Sequence, residues 1–152
     1  MTALEKIKQF VESYPGAAAL ASIMVDYTDQ IPANGGIFPS GLVEISRKAD
    51  ICGNVTVYNQ YNFGLRYIFE KSPGDDDGAT QNAAWIMGLQ EWVQEQSALG
   101  NAPVFGDVLQ EETISAQNGS LFDTDEEGIA VYFVQISVKF TRKYEVKNKW
   151  LT

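Results

Sequence analysis

The side chains with the most obvious chemical potential in this 152-residue chain are clustered carboxylates. Asp75, Asp76 and Asp77 stand in a row, and Asp123, Asp125, Glu127 and Gly128 imitate the first half of a calcium-binding loop. The bidentate acid of such a loop falls at its twelfth position, which here is Val134, deep in an apolar strand pattern. A solvated turn accounts for those acids better than a calcium site does. The Asp75 to Asp77 row could hold a divalent ion, but it precedes a helical pattern, whose unpaired amides and positive end explain it. Paired carboxylates can cleave glycosides, yet none here stands at a strand end beside aromatics as a cleft would require. There is no His, which excludes His-based triads and His-containing zinc sites. Cys52 is the single Cys and lies beside Gly53. With no imidazole to activate it, it is a poor nucleophile. Lys and Tyr remain as acid–base groups, and nothing singles one out. No phosphate-binding Gly loop, G-x-S-x-G or paired-Cys motif is present. The expectation is a protein without catalytic residues, cofactor or metal.

The elements that would position these residues follow from periodicity. The stretch Asn82 to Asp107 organises the chain. Trp85, Leu89, Trp92, Val93, Gln96 and Leu99 recur at steps of three and four, one face of a helix. Asp75 to Thr80 signals its start. Gly100 suits a left-handed C-cap, with Pro103 just beyond. A stripe with two Trp wants a broad apolar surface, and in a strand-rich chain that surface is a sheet. Upstream, Thr2 and Glu5 form a capping-box pattern ahead of Leu4, Ile7, Phe10, Val11 and Tyr14, which share a helical face. Pro15-Gly16 ends that helix. Ala18 to Tyr27 reads as a strand. Thr28 to Ser40, with two Pro and Asn34-Gly35-Gly36, reads as a loop. It carries Ile37 and Phe38, which either fold back onto the core or anchor a partner. Gly41 to Lys48 reads as a short strand. Val55 to Phe69 alternates with period two, either as one long projecting strand or as a pair bent near Asn59 or Gly64. Glu70 to Gly78 reads as an acidic loop, and Glu111 to Leu121 as a weak strand. Phe122 to Gly128 is a hairpin-like connection, and Ile129 to Phe140 a strong strand. The fold class expected is α+β, a mainly antiparallel sheet with two helices packed against it, in the order α-β-β-β(-β)-α-β-β. Residues 1–142 form a single domain in this reading. Residues 143–152 form a charged tail, with Arg142, Lys143 and Trp150 as docking candidates.

Composition narrows the class. At 45% hydrophobic and 12% aromatic the chain is globular rather than disordered. No run approaches a membrane span, and the N-terminus lacks the apolar core of a signal peptide. A single Cys suits a reducing compartment. The formal charge is −9. Between Ser72 and Val138 there are twelve carboxylates and no Lys or Arg, so that window carries −12 and the remainder +3. Such asymmetry serves solubility, or an acidic face that meets a basic tail in a head-to-tail assembly. It argues against clinging to DNA, which needs clustered cations.

Several sequence features resemble a family of small prophage proteins from Firmicutes. They are Trp85, the run Leu89 to Ser97, Gly100, Ala102-Pro103 and Phe105-Gly106-Asp107, with Tyr14-Pro15-Gly16, Val25 to Thr28, Phe38-Pro39, Ser46 to Asp50 and Gly53-Asn54. Members are labelled minor capsid or tail proteins, and they resemble the tail-terminator (tail-completion) proteins of long-tailed bacteriophages. The resemblance implies an α+β subunit of a hexameric ring that caps the tail tube and joins it to the head connector. It also implies self-association, tail-tube and connector proteins as partners, DNA passing through without specific binding, and no membrane. The protein would reside in the host cytoplasm during assembly and then in the virion tail. Two other readings stand beside this one: another virion component, such as a tube subunit or connector stopper, and a small-molecule-binding domain or enzyme. If the acidic loop docks a partner, reversing Asp75, Asp76 and Asp77 to Lys impairs assembly. Phage titres equal to wild type would remove that loop from the interface.

Overall fold

The computed structural model describes residues 2–15, 22–25, 34–70, 76–124 and 129–145. Its elements are α1 (Ala3–Glu12), β1 (Ser22–Val25), β2 (Asn34–Ala49), β3 (Val55–Glu70), α2 (Asp76–Ala98), β4 (Thr113–Thr124) and β5 (Ile129–Tyr144). The strands form one sheet in the order β1-β2-β3-β5-β4, antiparallel except for β1 alongside β2. This is the α+β architecture expected, with both helices on one face of a mainly antiparallel sheet.

The centre of the sheet is the β3–β5 ladder. It runs without a register shift from Val55↔Tyr144 to Glu70↔Ile129. Alternation then fixes two faces. On one lie Phe63, Leu65 and Tyr67 of β3 with Val134, Ile136, Val138 and Phe140 of β5, all buried with Ile37 and Ile114. Onto this face α1 brings Ile7 and Val11, and α2 brings Ile86, Leu89 and Val93. The Thr2–Glu5 capping box forms as expected, each side chain bonded to the other's backbone amide. The Tyr67 hydroxyl is fully buried without a hydrogen-bond partner among the described residues, and burial pushes its ionisation far above the ordinary tyrosine range.

The Trp-bearing helix packs on the sheet as expected, with Trp85 against Tyr67 of β3 at a centroid distance of 4.3 Å and Leu89 and Val93 in the core. Trp85 also meets Tyr14, and Trp92 packs against Phe10 and Tyr14, with ring centroids 4.9 and 5.3 Å apart, which joins α2 to the α1 side. Three expectations need correction. Leu99 is exposed beyond the helix end. The expected loop through Ser40 is strand from Asn34 onward, with Ile37 in the core. Among the described residues β1 pairs with β2 only as far as Ile37, so Pro39 has no partner strand on that side and lies beside a register shift, where a proline is tolerated. Finally, β5 continues to Tyr144, so Arg142 and Lys143 are strand residues rather than tail.

Val55–Glu70 is one continuous strand, and Gly64 is not its bend. Its ladders keep register there. A Cβ on Gly64 would collide with the Phe38 ring and lie 2.9 Å from Phe133. The glycine makes room for two rings that close over β3 from its neighbours, with centroids 6.1 Å apart. Replacing it by Val should therefore cost about 1–3 kcal/mol of stability, the usual range for overpacking. Chemical denaturation measures this, and a wild-type midpoint would show that the rings yield freely.

Candidate interaction surfaces

The helices cover only part of the sheet. Beyond them, β2 and β3 run on as an arm backed by β5, which pairs with β3 as far as Val55, and closed by a turn in which the Asp50 carboxylate accepts from Asn54 N–H at 2.9 Å and Gly53 adopts φ +86°. Exposed Cys52 sits in this turn. From Pro39 to Asp50 every residue is exposed. Leu42, Val43 and Ile45 are 56%, 50% and 45% exposed, with Leu42 on the helix-side face and Val43 on the other. Among the described residues no strand pairs with β2 beyond Ile37. That edge is broken by Pro39, by register shifts at Pro39/Gly41 and Glu44/Ser46, and by the Arg47–Glu44 ion pair at 2.7 Å. Such devices blunt backbone pairing with another strand. The arm thus offers side chains rather than a ladder. On its helix-side face a shallow concavity of about 470 Å³ is lined by Leu42, Glu44, Arg47, Val57, Asn59 and Tyr144 among others.

At the opposite edge of the sheet β4 runs under α2. A second groove, about 560 Å³, lies between them, with Gln90, Glu91, Gln94 and Ala98 on the helix side and Thr113 to Ala116 on the strand side. Ser97 Oγ accepts the Ile114 amide at 3.1 Å, which closes part of this edge to strand addition. Tyr14, whose hydroxyl donates to the Trp85 carbonyl at 3.3 Å, has its ionisation raised by partial burial and then by nearby Glu91.

Between α2 and β4 the chain is anchored tightly. Gly100, at φ +78°, ends α2 with Asn101 N–H donating to Gln96 O at 2.9 Å, the C-cap expected from sequence. Buried Glu112 then accepts from Phe105 N–H at 3.2 Å and Gly106 N–H at 2.7 Å. Asp107 N–H donates to Thr141 O at 2.7 Å, and the Asp107 carboxylate accepts from Lys143 N–H at 2.8 Å. Glu111 accepts from the Thr141 hydroxyl. Phe105 to Asp107 thereby continue the sheet edge past the start of β4. A Cβ at Gly106 would strike the Thr141 carbonyl, so only glycine fits there.

The candidate residues from sequence do not converge. Ile37 is buried core, and Phe38 is half-buried against Phe133 with the Arg66 guanidinium 5.5 Å from its ring. Asp76 and Asp77 begin α2, so the helix starts inside the expected acidic loop. Asp75 and Trp150 lie outside the described residues, as do Asp125, Glu127 and Gly128. Arg142 sits over Phe140 at 5.5 Å on the helix-side face, and the alternation of β5 places Lys143 on the other. Sequence reasoning missed Leu42, Val43 and Ile45. Their alternation was visible, but not that the helices stop short of them. Among the described residues no group of Asp, Glu or Cys converges as a metal site, and no helix is long and apolar enough to cross a membrane.

Against models of known protein families the chain finds no match, and among curated proteins it finds no relative. What the geometry defines is an α+β domain with both helices on one face of the sheet and a small second cluster, Ile68 with Val131, buried on the other.

Glu112→Ala would strand two amides, at about 1–3 kcal/mol each, and should lower stability by roughly 2–4 kcal/mol. Glu112→Gln, which keeps one acceptor, should lose about half as much. Urea unfolding checks both values, and a loss below about 1 kcal/mol for the Ala variant would show that water replaces the carboxylate.

Proposed function

We propose that this protein is a structural subunit of a long-tailed bacteriophage. In this reading it is a tail terminator or head–tail joining protein that closes into a ring at the head-proximal end of the tail tube. The observation that carries this reading is the arm, which leaves Leu42, Val43 and Ile45 half-exposed beyond the helix layer. A side chain of this size contributes about 1.5–3 kcal/mol when fully buried, so covering these half-exposed three adds on the order of 3 kcal/mol. Association costs at least about 4 kcal/mol in lost freedom. The arm therefore needs a wider surface around it, as a ring contact on the tail tube and head connector would provide. The sequence features shared with prophage tail proteins support the same reading. Many of them, including Leu89, Val93, Gly100, Phe105, Gly106 and Asp107, hold the fold rather than perform chemistry. DNA would pass through the lumen without base-specific contacts.

Native mass spectrometry across concentration, with negative-stain images of the same samples and of samples mixed with purified tails, tests this. A closed ring, alone or on the tail tip, is the expected result. Long tubes would assign the protein to the tail tube instead. A monomer that ignores tails and connectors would overturn the reading.

A further inference from the structure

The sheet face away from the helices, which no helix of the described residues covers, has an unusual charge for so acidic a chain. Lys48, Thr56 and Lys143 share one cross-strand row, and Gln60, Lys139 and Thr113 another. The three Lys are exposed. Between those rows lie Tyr58 and Thr141, and next to them Asn62 with Ser137. Gln60 Nε2 donates to Asn62 Oδ1 at 2.8 Å, and Ser137 Oγ donates to the same oxygen at 2.8 Å, so these amides and hydroxyls are held in place. Over residues 55–66 of β3 and 133–143 of β5, the positions on this face include Arg66 and these Lys but no carboxylate. Glu111 stands at the rim, engaged by Thr141. A concavity of about 380 Å³ opens there, lined by Ser46, Lys48, Tyr58 and Thr141 among others.

The other side of the molecule is the reverse. Residues 76–117, covering α2 and the start of β4, contain seven carboxylates and no Lys or Arg. Glu91 and Glu95 are exposed on α2, one helical turn apart. Exposed Lys48, Lys139 and Lys143 thus lie on one face of the sheet, and exposed Glu91 and Glu95 on α2, which carries no Lys or Arg.

We infer that the open sheet face, through Lys48, Lys139 and Lys143, receives the acidic α2 surface, through Glu91 and Glu95, of a second copy of this chain. The two surfaces differ, so the contact is head-to-tail and each copy both gives and receives, as ring closure requires. The occupant assigned is a second copy because its α2 presents exposed Glu91 and Glu95 on a helix without Lys or Arg, the local complement of the three exposed Lys. The blunted β2 edge and the Ser97 bond at β4 favour this face-to-face contact over continuation of the sheet. The inference rests on the ring reading and specifies which surfaces meet in it.

Charge reversal with rescue tests it. Lys139→Glu with Lys143→Glu, and separately Glu91→Lys with Glu95→Lys, should each weaken self-association at least about tenfold at roughly 0.1 M salt. Mixing the two variants, which restores opposite charges across one contact, should recover association to within a few-fold of wild type. Thermal melts establish that each variant is folded. Association unchanged by either reversal, or lost without rescue on mixing, overturns the inference while leaving the ring reading intact. A wild-type protein that is monomeric even with purified tails overturns both. Salt-sensitive binding of a duplex of about 15 base pairs, roughly the length of the face at 3.4 Å per pair, abolished by the Lys reversals but not the Glu reversals, would reassign the face to nucleic acid and overturn the inference.

Discussion

The unbroken ladder between β3 and β5 is the constraint on which the rest depends. Two strands of sixteen residues each pair over their full length without a register shift. At about 3.3 Å per residue this is roughly 50 Å of continuous strand, far longer than two packed helices of ten and twenty-three residues cover with their apolar stripes. A slip of one residue would turn Phe63, Leu65 and Tyr67 out and bring Asn62 and Arg66 in. The register is therefore held by core packing at one end of the ladder, and the other end projects. The arm and the open face are consequences of that mismatch in length.

The second level of organisation is aromatic and local. Trp85 and Trp92 clamp α1 to α2 through Phe10 and Tyr14, so the helices form a layer of their own over the strands. Phe105 then packs edge-on against Phe63 and Phe140, which ties the segment after α2 into the core. Glu112 and Asp107 complete this by satisfying backbone amides that lie beyond the start of β4. The acids of this segment are thus structural anchors, though by composition alone they read as one more part of a negative surface.

Net charge conceals the most informative electrostatic feature. An average of −9 suggests a uniformly acidic body. Alternation along β5 instead sends Lys139 and Lys143 to the open face and Arg142 to the helix side, and the pairing with Thr56 brings Lys48 alongside. Exposed cations gathered on one face in this way give a local positive potential that the net charge hides.

Much of the fold was legible from residue spacing. Period-two alternation marked β3 and most of β5, the Thr2–Glu5 pair marked the start of α1, and Gly100 marked the end of α2. Those features are written locally, within a turn of helix or a few residues of strand. The sequence by itself thus determined the class, the main elements and the absence of any His-based chemistry. It misled at Asn34 to Pro39, where Gly and Pro signal a loop. The tertiary structure makes strand there, because Gly35 and Gly36 lie buried between neighbours and Pro39 has no partner on its outer side among the described residues. Gly64 looked like a bend and proved to be space for two rings brought from other strands. Only the tertiary structure decided which apolar residues remain uncovered and which cations share a face. Both depend on register between segments distant in sequence, and on where the helix layer stops.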